Sequence, residues 1–163
     1  MRKKAIAGAI AAILAAAIYF VFFAGTDEEK IRGAIERLAK AVQVTADDGN
    51  PILKTARVRS ELAAVLTDDA HVTVPELGTK QGRDSIAEMA VQGSLAYRSA
   101  EVDMHDLQIK LDDAKTTAKV GARAHLRATT RAGEEQRDQR AVDFLLRKTE
   151  GRWKIASITV WDK

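Results

Sequence analysis

The 163-residue sequence contains no cysteine and only two prolines. The first absence excludes disulfide bonds, thiolate metal sites and a lipid-modified cysteine anchor. An exported domain of this composition must therefore hold together by core packing alone. The scarcity of proline, together with the lack of low-complexity runs and internal repeats, leaves no room for a proline-rich linker.

An excess of charge of one sign is also missing from most of the chain. The sequence has 26 basic and 23 acidic residues. Three of the basic ones, Arg2, Lys3 and Lys4, stand at the N-terminus, and the 23 that remain match the 23 acids. The basic balance therefore comes from the N-terminal flank, and we expect no nucleic-acid partner.

The N-terminus contains a long stretch without any charged residue. Residues 5–24 are all uncharged and include nine large apolar side chains. Twenty helical residues span roughly 30 Å, the thickness of the hydrocarbon core of a bilayer. The stretch therefore predicts a single transmembrane helix over residues 5–24, with residues 1–4 as a basic flank and one domain over residues 25–163.

The charges that flank this stretch predict its orientation. Basic residues precede it, and Asp27, Glu28 and Glu29 follow it. Basic flanks stay in the cytoplasm, so the domain would face the periplasm of a bacterial inner membrane. A cleaved signal peptide is the alternative, with Arg2–Lys4 as its basic region. The run is longer than usual for that alternative, and Phe22 and Phe23 are bulky where a cleavage site needs small residues.

Three helices are predicted, two of them before the hydrophobic period first changes at His71. Thr26 and Glu29 form a capping-box pattern, and Asn50 with Pro51 forms the start of a second helix. The apolar side of the second helix is expected to carry Ile52, Leu53, Leu62, Val65 and Leu66, and the helix is expected to end at Thr67-Asp68-Asp69. A third, short helix is expected from Arg83 to about Gly93.

Strands are predicted from a period of two. A short strand covers His71 to Val74, and residues 78–82 are expected to be a loop. A long strand begins at Tyr97, and its parity slips between Met104 and Leu107, which predicts a β-bulge at His105 and Asp106.

The three strands that follow differ in how their apolar residues are distributed over the two sides of the sheet. Residues 115–129 alternate most clearly, and their apolar side carries Ala118, Val120, Ala122, Ala124 and Leu126. Val142, Phe144 and Leu146 define the next strand. The last, residues 152–162, places Trp153 and Ile155 on one side and Ile158 and Val160 on the other. Apolar residues on both sides predict a central position.

This order of elements resembles the NTF2-like (SnoaL-like) cone fold, an α+β fold. Gly82-Arg83-Asp84-Ser85-Ile86 looks like the family's entry into its third helix. Residues 145–160, with Gly151-Arg152-Trp153-Lys154-Ile155, are similar to its terminal hairpin. The resemblance implies a curved antiparallel sheet around about three helices, a pocket at the open end and frequent dimerisation through the sheet. It implies no single activity, because the fold hosts isomerases, dehydratases, hydrolases and binding proteins.

The candidate site residues were sought among ionisable side chains. The inward sets of the two best strands contain none, so acid–base chemistry inside the cone is not favoured. His105 at the bulge, Tyr97 and Glu76 are the candidates for a pocket. His71 lies on a short edge strand. No spacing of His or Cys supports a metal site, and no cofactor is expected.

The polar side of the best strand is the candidate surface for an anion or a partner. It carries Lys119, Arg123, His125 and Arg127, and His125 is expected to be a solvated surface residue between the arginines. A solvated sheet face that pairs with the charges of residues 134–140 is the alternative explanation.

Two functions are consistent with the sequence. The preferred one is a membrane-anchored, periplasm-facing binding or protein-interaction module, non-catalytic, with a homodimer through the sheet or an envelope protein as partner. The alternative is an exported SnoaL-like enzyme that acts on a small apolar substrate through His105, Tyr97 or Glu76.

Overall fold

A computed structural model describes residues 25–45 and 50–162 of the chain. Two helices, a short strand pair, a third helix and four long strands follow one another. The helices are α1 (Asp27–Ala41), α2 (Pro51–Val65) and α3 (Arg83–Ser94), and the strands are β1 (Leu66–Val74), β2 (Gly78–Gln81), β3 (Tyr97–Leu111), β4 (Thr117–Thr130), β5 (Glu135–Thr149) and β6 (Arg152–Val160). The α+β prediction is confirmed.

The predicted transmembrane segment lies outside the described residues. Among the helices within 25–45 and 50–162, none combines the length and the apolar content that a membrane crossing needs.

The starts of α1 and α2 follow from their capping residues. The Thr26 hydroxyl accepts a hydrogen bond from the Glu29 amide, and the Glu29 carboxylate accepts one from the Thr26 amide. At α2, the Asn50 side chain accepts hydrogen bonds from the amides of Ile52 and Leu53, with Pro51 in the first turn. Both predicted helix starts are confirmed, because capping depends only on residues that are close in sequence.

Six strands form one sheet in the order β2-β1-β6-β5-β4-β3. The long strands are antiparallel neighbours, while β1 runs parallel to β6. The predicted central position of the last strand is confirmed, since β6 lies between β1 and β5.

One side of this sheet packs against the helices and forms the core. From β4 and β5 it buries alternate residues, and from the helices it buries the apolar stripes of α1 and α2. The most deeply buried large side chains are Ile31, Ile35, Leu62, Leu66, Val120, Leu146 and Ile155. We call the opposite side, which carries Lys119, Arg123, His125 and Arg127, the outward face.

The predicted apolar side of α2 is wrong in its first turn. Ile52 and Leu53 are 79% and 67% exposed, whereas Val58, Leu62 and Val65 are buried. The buried stripe has a spacing of three to four residues, and its continuation toward the N-terminus passes through residues 54 and 55, not 52 and 53. Apolar character alone therefore did not predict burial here.

Two further element boundaries differ from the prediction. Residues 78–82, expected as a loop, contain the short strand β2, which pairs with β1. β1 itself begins at Leu66, five residues before the predicted start. The two acids that were read as the end of α2 form ion pairs instead, Asp68 with Arg83 and Asp69 with Arg147.

Two bulges decide which side chains reach the core. The predicted bulge in β3 is confirmed: two residues, Asp106 and Leu107, lie between pairs that enclose only Ala122 on β4, and Asp106 has a positive φ of 55°. A second bulge at Ala156 in β6 was not predicted. It puts Trp153 and Ile158 on the same, core-facing side, so the predicted division of β6 into two apolar faces is wrong.

Candidate functional site

Strand β5 places apolar side chains and, toward its start, ionisable ones on the core-facing side of the sheet. Val142, Phe144 and Leu146 are buried there, as predicted. Toward the start of the strand the same alternation continues with Arg140, opposite Ala124, and Asp138, opposite Leu126. The expectation that the inward sets lack ionisable groups holds for the residues named in it but fails for this extension of β5.

Arg140 forms ion pairs with two carboxylates, those of Glu76 and Asp138, and we call these three residues the mouth cluster. The Nη2 atom of Arg140 lies 2.5 Å from Glu76 Oε1, and its Nε lies 3.0 Å from Asp138 Oδ2. Glu76 comes from the turn between β1 and β2, 64 positions away in sequence. The Arg140 side chain is only 19% exposed, so the pairs are partly shielded from water.

The hydrogen bond from Arg140 lowers the pKa of Glu76, and the two carboxylates raise the pKa of Arg140. A carboxylate held in its charged form by a guanidinium is a weak proton acceptor near neutral pH, since efficient acid–base groups have pKa values close to the working pH. The mouth cluster therefore has the chemistry of an ion-pair network and not of an acid–base pair. Asp138 and Arg140 precede Val142 at intervals of two residues, which places all three on the same side of the strand. This spacing was the sequence signal that could have located the mouth cluster.

His105 and His125 form a second cluster, on the outward face. Their ring centroids are 4.5 Å apart, since Asp103 pairs with His125 and His105 pairs with Arg123 across β3 and β4. The predicted bulge does not turn His105 into the cone: its side chain is exposed. The prediction for His125 is also wrong in part, because this residue is half-buried and its Nε2 is buried without a hydrogen-bond partner among residues 25–45 and 50–162.

The arginines of the outward face are paired mainly with acids of β3. Arg127 Nη2 lies 2.9 Å from Asp103 and 3.2 Å from Glu101, and Arg123 Nη1 lies 3.3 Å from Asp106. The counter-charges were expected from residues 134–140, and that assignment is wrong. The β4–β5 register places Arg137 opposite Arg127 and Gln139 opposite His125.

The third pocket candidate, Tyr97, contacts neither cluster. Its hydroxyl donates a hydrogen bond of 3.4 Å to Gln136 Oε1. Gln136 lines a cavity of about 470 Å³ at the end of the sheet, together with Val44 and Ala128. This cavity lies where β3 and β5 begin, and its volume falls in the range of small-molecule sites.

The candidates for catalysis are thus not brought together. His105 projects from the outward face, Glu76 contacts Arg140 on the core-facing side, and Tyr97 bonds Gln136 at the end of the sheet. His71, in β1, pairs with Gln81 and Ser157 in neighbouring strands. Within the part of the chain that the structure describes, no three His, Asp or Glu residues converge as metal ligands would.

A comparison with protein families identifies a family whose fold was already indicated by the order of strands and helices. The profile of the SnoaL-like domain matches residues 26–159, which is most of the sequence. The chain belongs to the SnoaL-like family. No curated protein matches the sequence.

Several solved structures share the fold at low sequence identity. An NTF2-like superfamily protein from Salmonella enterica serovar Typhimurium aligns with a TM-score of 0.66 at 15% identity, over 83% of this chain and 89% of its own. A protein from Kribbella flavida aligns with a TM-score of 0.67 at 14% identity, over 84% and 90%. A hexachlorocyclohexane dehydrochlorinase aligns with a TM-score of 0.64 at 16% identity, over 83% and 86%.

These likenesses establish an NTF2-like fold for the SnoaL-like domain and leave its activity to its own residues. The alignments cover 86–90% of each of these proteins.

Proposed function

We propose that this SnoaL-like domain is a non-catalytic binding module, anchored in the bacterial inner membrane and exposed to the periplasm. The observation that carries the proposal is the separation of His105 from Glu76 by the thickness of the sheet. An enzyme that moves protons needs its acid and base within hydrogen-bond reach of one substrate. Here His105 and Glu76 lie on opposite sides of the sheet, and the Glu76 carboxylate is already bound to Arg140.

The outward face supports a binding role. It carries a cavity of about 660 Å³ lined by His105, His125, Arg127 and Gln139, among others. The cavity lies across β3, β4 and β5, and most of its lining side chains are charged or can form hydrogen bonds. A surface of this kind recognises a partner by charge and hydrogen bonding. We therefore assign the binding function to the outward face.

The membrane anchor and its orientation rest on residues 1–24. Since the natural chain has no cysteine, a single introduced cysteine is a clean reporter of location. Lys80→Cys lies in the exposed strand β2 and should react with a small membrane-impermeant maleimide in intact cells. Lys3→Cys, in the basic flank, should react only after the inner membrane is permeabilised.

The same two variants decide between the alternatives. Labelling of Lys3→Cys in intact cells, or protection of Lys80→Cys in spheroplasts, would reverse the orientation. A Lys80→Cys product that appears in the soluble fraction and has lost its first residues would establish a cleaved signal peptide.

Binding at the outward face is tested by crosslinking from a chosen position. Gln139→Cys, exposed on β5 beside His125, should give a crosslinked adduct in native membranes when it carries a photoreactive maleimide. Glu88→Cys, exposed on α3, is the matched control and should give much less. An adduct of about twice the 17.8 kDa chain mass would identify a second copy as the partner. Equal adducts at both positions would count against the outward face.

A further inference from the structure

Two lysines on the outward face lie directly opposite each other. Lys110 on β3 pairs with Lys119 on β4, and both side chains are exposed. Like charges at directly opposite positions destabilise a sheet. Neither lysine forms an ion pair with any residue in 25–45 or 50–162, whereas Arg123 and Arg127 on the same strand are paired with acids. The pair therefore carries positive charge that no ion pair among the described residues neutralises.

The lysines border a trough that crosses four strands. The next row of the register runs from Gln108 through Gly121 and Asp143 to Thr159, and Ser157 lies in the lysine row. These residues line a cavity of about 480 Å³, a volume suited to a small ligand. The floor is low because Gly121 has no side chain, and a Cβ there would meet only Asp143 Oδ1, at 3.6 Å.

The lining combines one apolar side chain, that of Leu145, with an amide, a carboxylate and two hydroxyls. The polar groups offer both donors and acceptors, which suits a ligand that carries several hydroxyl groups. An apolar ligand would leave those groups and both ammonium groups without partners, at a cost in binding free energy.

An exposed tryptophan stands next to the trough. Trp161 is 51% exposed, and its indole Nε1 donates a hydrogen bond of 2.8 Å to Asp143 Oδ2. Its backbone amide bonds the Ala141 carbonyl oxygen, which holds the residue beside β5. A large aromatic side chain that keeps its polar edge bonded and its apolar surface in water is a typical contact for a ligand with one apolar side.

We propose that this trough binds a saccharide that carries a carboxylate group. Lys110 and Lys119 bind the carboxylate, Gln108, Asp143 and Thr159 bind hydroxyls, and Trp161 packs against the C–H face of a sugar ring. Sugar acids are the ligand class that uses the unpaired charge, the polar lining and the exposed indole together. The inference deepens the proposed function, because it names the ligand of an outward face that is exposed outside the cytoplasm.

The test is calorimetric titration of the full-length chain in detergent with trigalacturonate. Maltotriose is the neutral sugar of the same length, and tricarballylate is an anion of the same charge that is not a sugar. We expect trigalacturonate to bind at least tenfold more tightly than either, with an affinity that falls as salt is added.

Variants assign the binding to the trough. Lys110→Gln with Lys119→Gln should weaken trigalacturonate at least tenfold and remove the salt dependence, and Trp161→Ala should weaken it at least fivefold. Lys80→Gln, an exposed lysine on β2, is the matched control and should bind like the natural chain. The double lysine variant should also melt at a higher temperature than the natural chain, which shows that it is folded and that the pair is retained at a cost in stability.

Four results would overturn the proposal: no binding of trigalacturonate, equal binding of tricarballylate, unchanged binding in the double lysine variant, or a dimer in light scattering that excludes the sugar. Each is distinct from failure of the proposed function, because cysteine labelling reports the location of the domain whether or not a sugar binds.

Discussion

Leu146→Ala should lower the free energy of unfolding by about 3–5 kcal/mol, the range for a large aliphatic side chain that leaves a cavity in a rigid core. Leu146 is 0% exposed and lies in β5, in the middle of the sheet, opposite Ile155 of β6 and Ala118 of β4. Both neighbours are also fully buried, so the surrounding structure has little freedom to close the cavity. Urea unfolding followed by tryptophan fluorescence measures the change.

The adjacent residue supplies the control. Leu145 has the same side chain on the same strand but projects to the outward face, where it is half-buried. Leu145→Ala removes the same number of atoms and should cost only about 1 kcal/mol, because less of the side chain leaves water on folding. Equal losses in the two variants would show that the assignment of core-facing and outward sides is wrong.

Asp27→Ala should cost about 2–3 kcal/mol, because it leaves a buried donor and a partly buried ammonium without their acceptor. Asp27 Oδ1 accepts a hydrogen bond of 2.8 Å from Trp153 Nε1 and lies 2.9 Å from Lys148 Nζ. These contacts join the first turn of α1 to β5 and β6, more than 120 positions away in sequence. The Asp27 side chain is only 19% exposed.

Glu28→Gln is the matched control for that variant. Glu28 occupies the same helix turn, so its loss changes the interaction with the helix dipole by a similar amount. It should change the unfolding free energy by no more than about 0.5 kcal/mol, as an exposed helix charge does. A loss as large as that of Asp27→Ala would mean that the dipole, and not the contacts to Lys148 and Trp153, accounts for the effect.

The same contacts predict how stability depends on pH. The hydrogen bond from Lys148, followed by that from Trp153, lowers the pKa of Asp27 below its ordinary value of 3.8. A carboxyl group whose pKa is lower in the folded state stabilises the fold above its unfolded pKa, and this stabilisation is lost as the pH falls through the folded pKa. The urea concentration at the unfolding midpoint of the natural chain should therefore decrease as the pH is lowered below about 4. The same decrease should be smaller for Asp27→Asn. Parallel curves for the two proteins would contradict this assignment.

Much of the fold was predictable because it depends on residues that are close in sequence. The caps at Thr26 and Asn50 bond to amides two or three positions away, and the alternation of β4 is a property of one strand. The bulge in β3 was visible as a slip in parity between Met104 and Leu107. From such local patterns the α+β class could be predicted, and the resulting order of elements resembled the SnoaL-like fold.

The candidate site was less predictable because its contacts join distant positions. Glu76 was chosen from the sequence, but its partner Arg140 lies 64 positions away and was not. His105 was a candidate for a pocket because of its place at the bulge, and only the register of β3 with β4 places it beside His125 on the outward face. The acids Asp68 and Asp69 looked like the end of a helix until their pairing with Arg83 and Arg147 was known.

What the sequence determined by itself was every helix and strand of the described domain except β2, the places where helices begin, and the apolar stretch of residues 5–24. What only the tertiary structure decided was which side chains share a face and which charges meet. Capping and alternation are set by interactions within a few residues, whereas the pairing of Lys110 depends on strand register, and the partners of Glu76 and Asp27 depend on how segments far apart in sequence pack together. Register depends in turn on bulges, and the bulge at Ala156 shifts the pairing of β6 with β5 and so decides which side chains of β6 face the core.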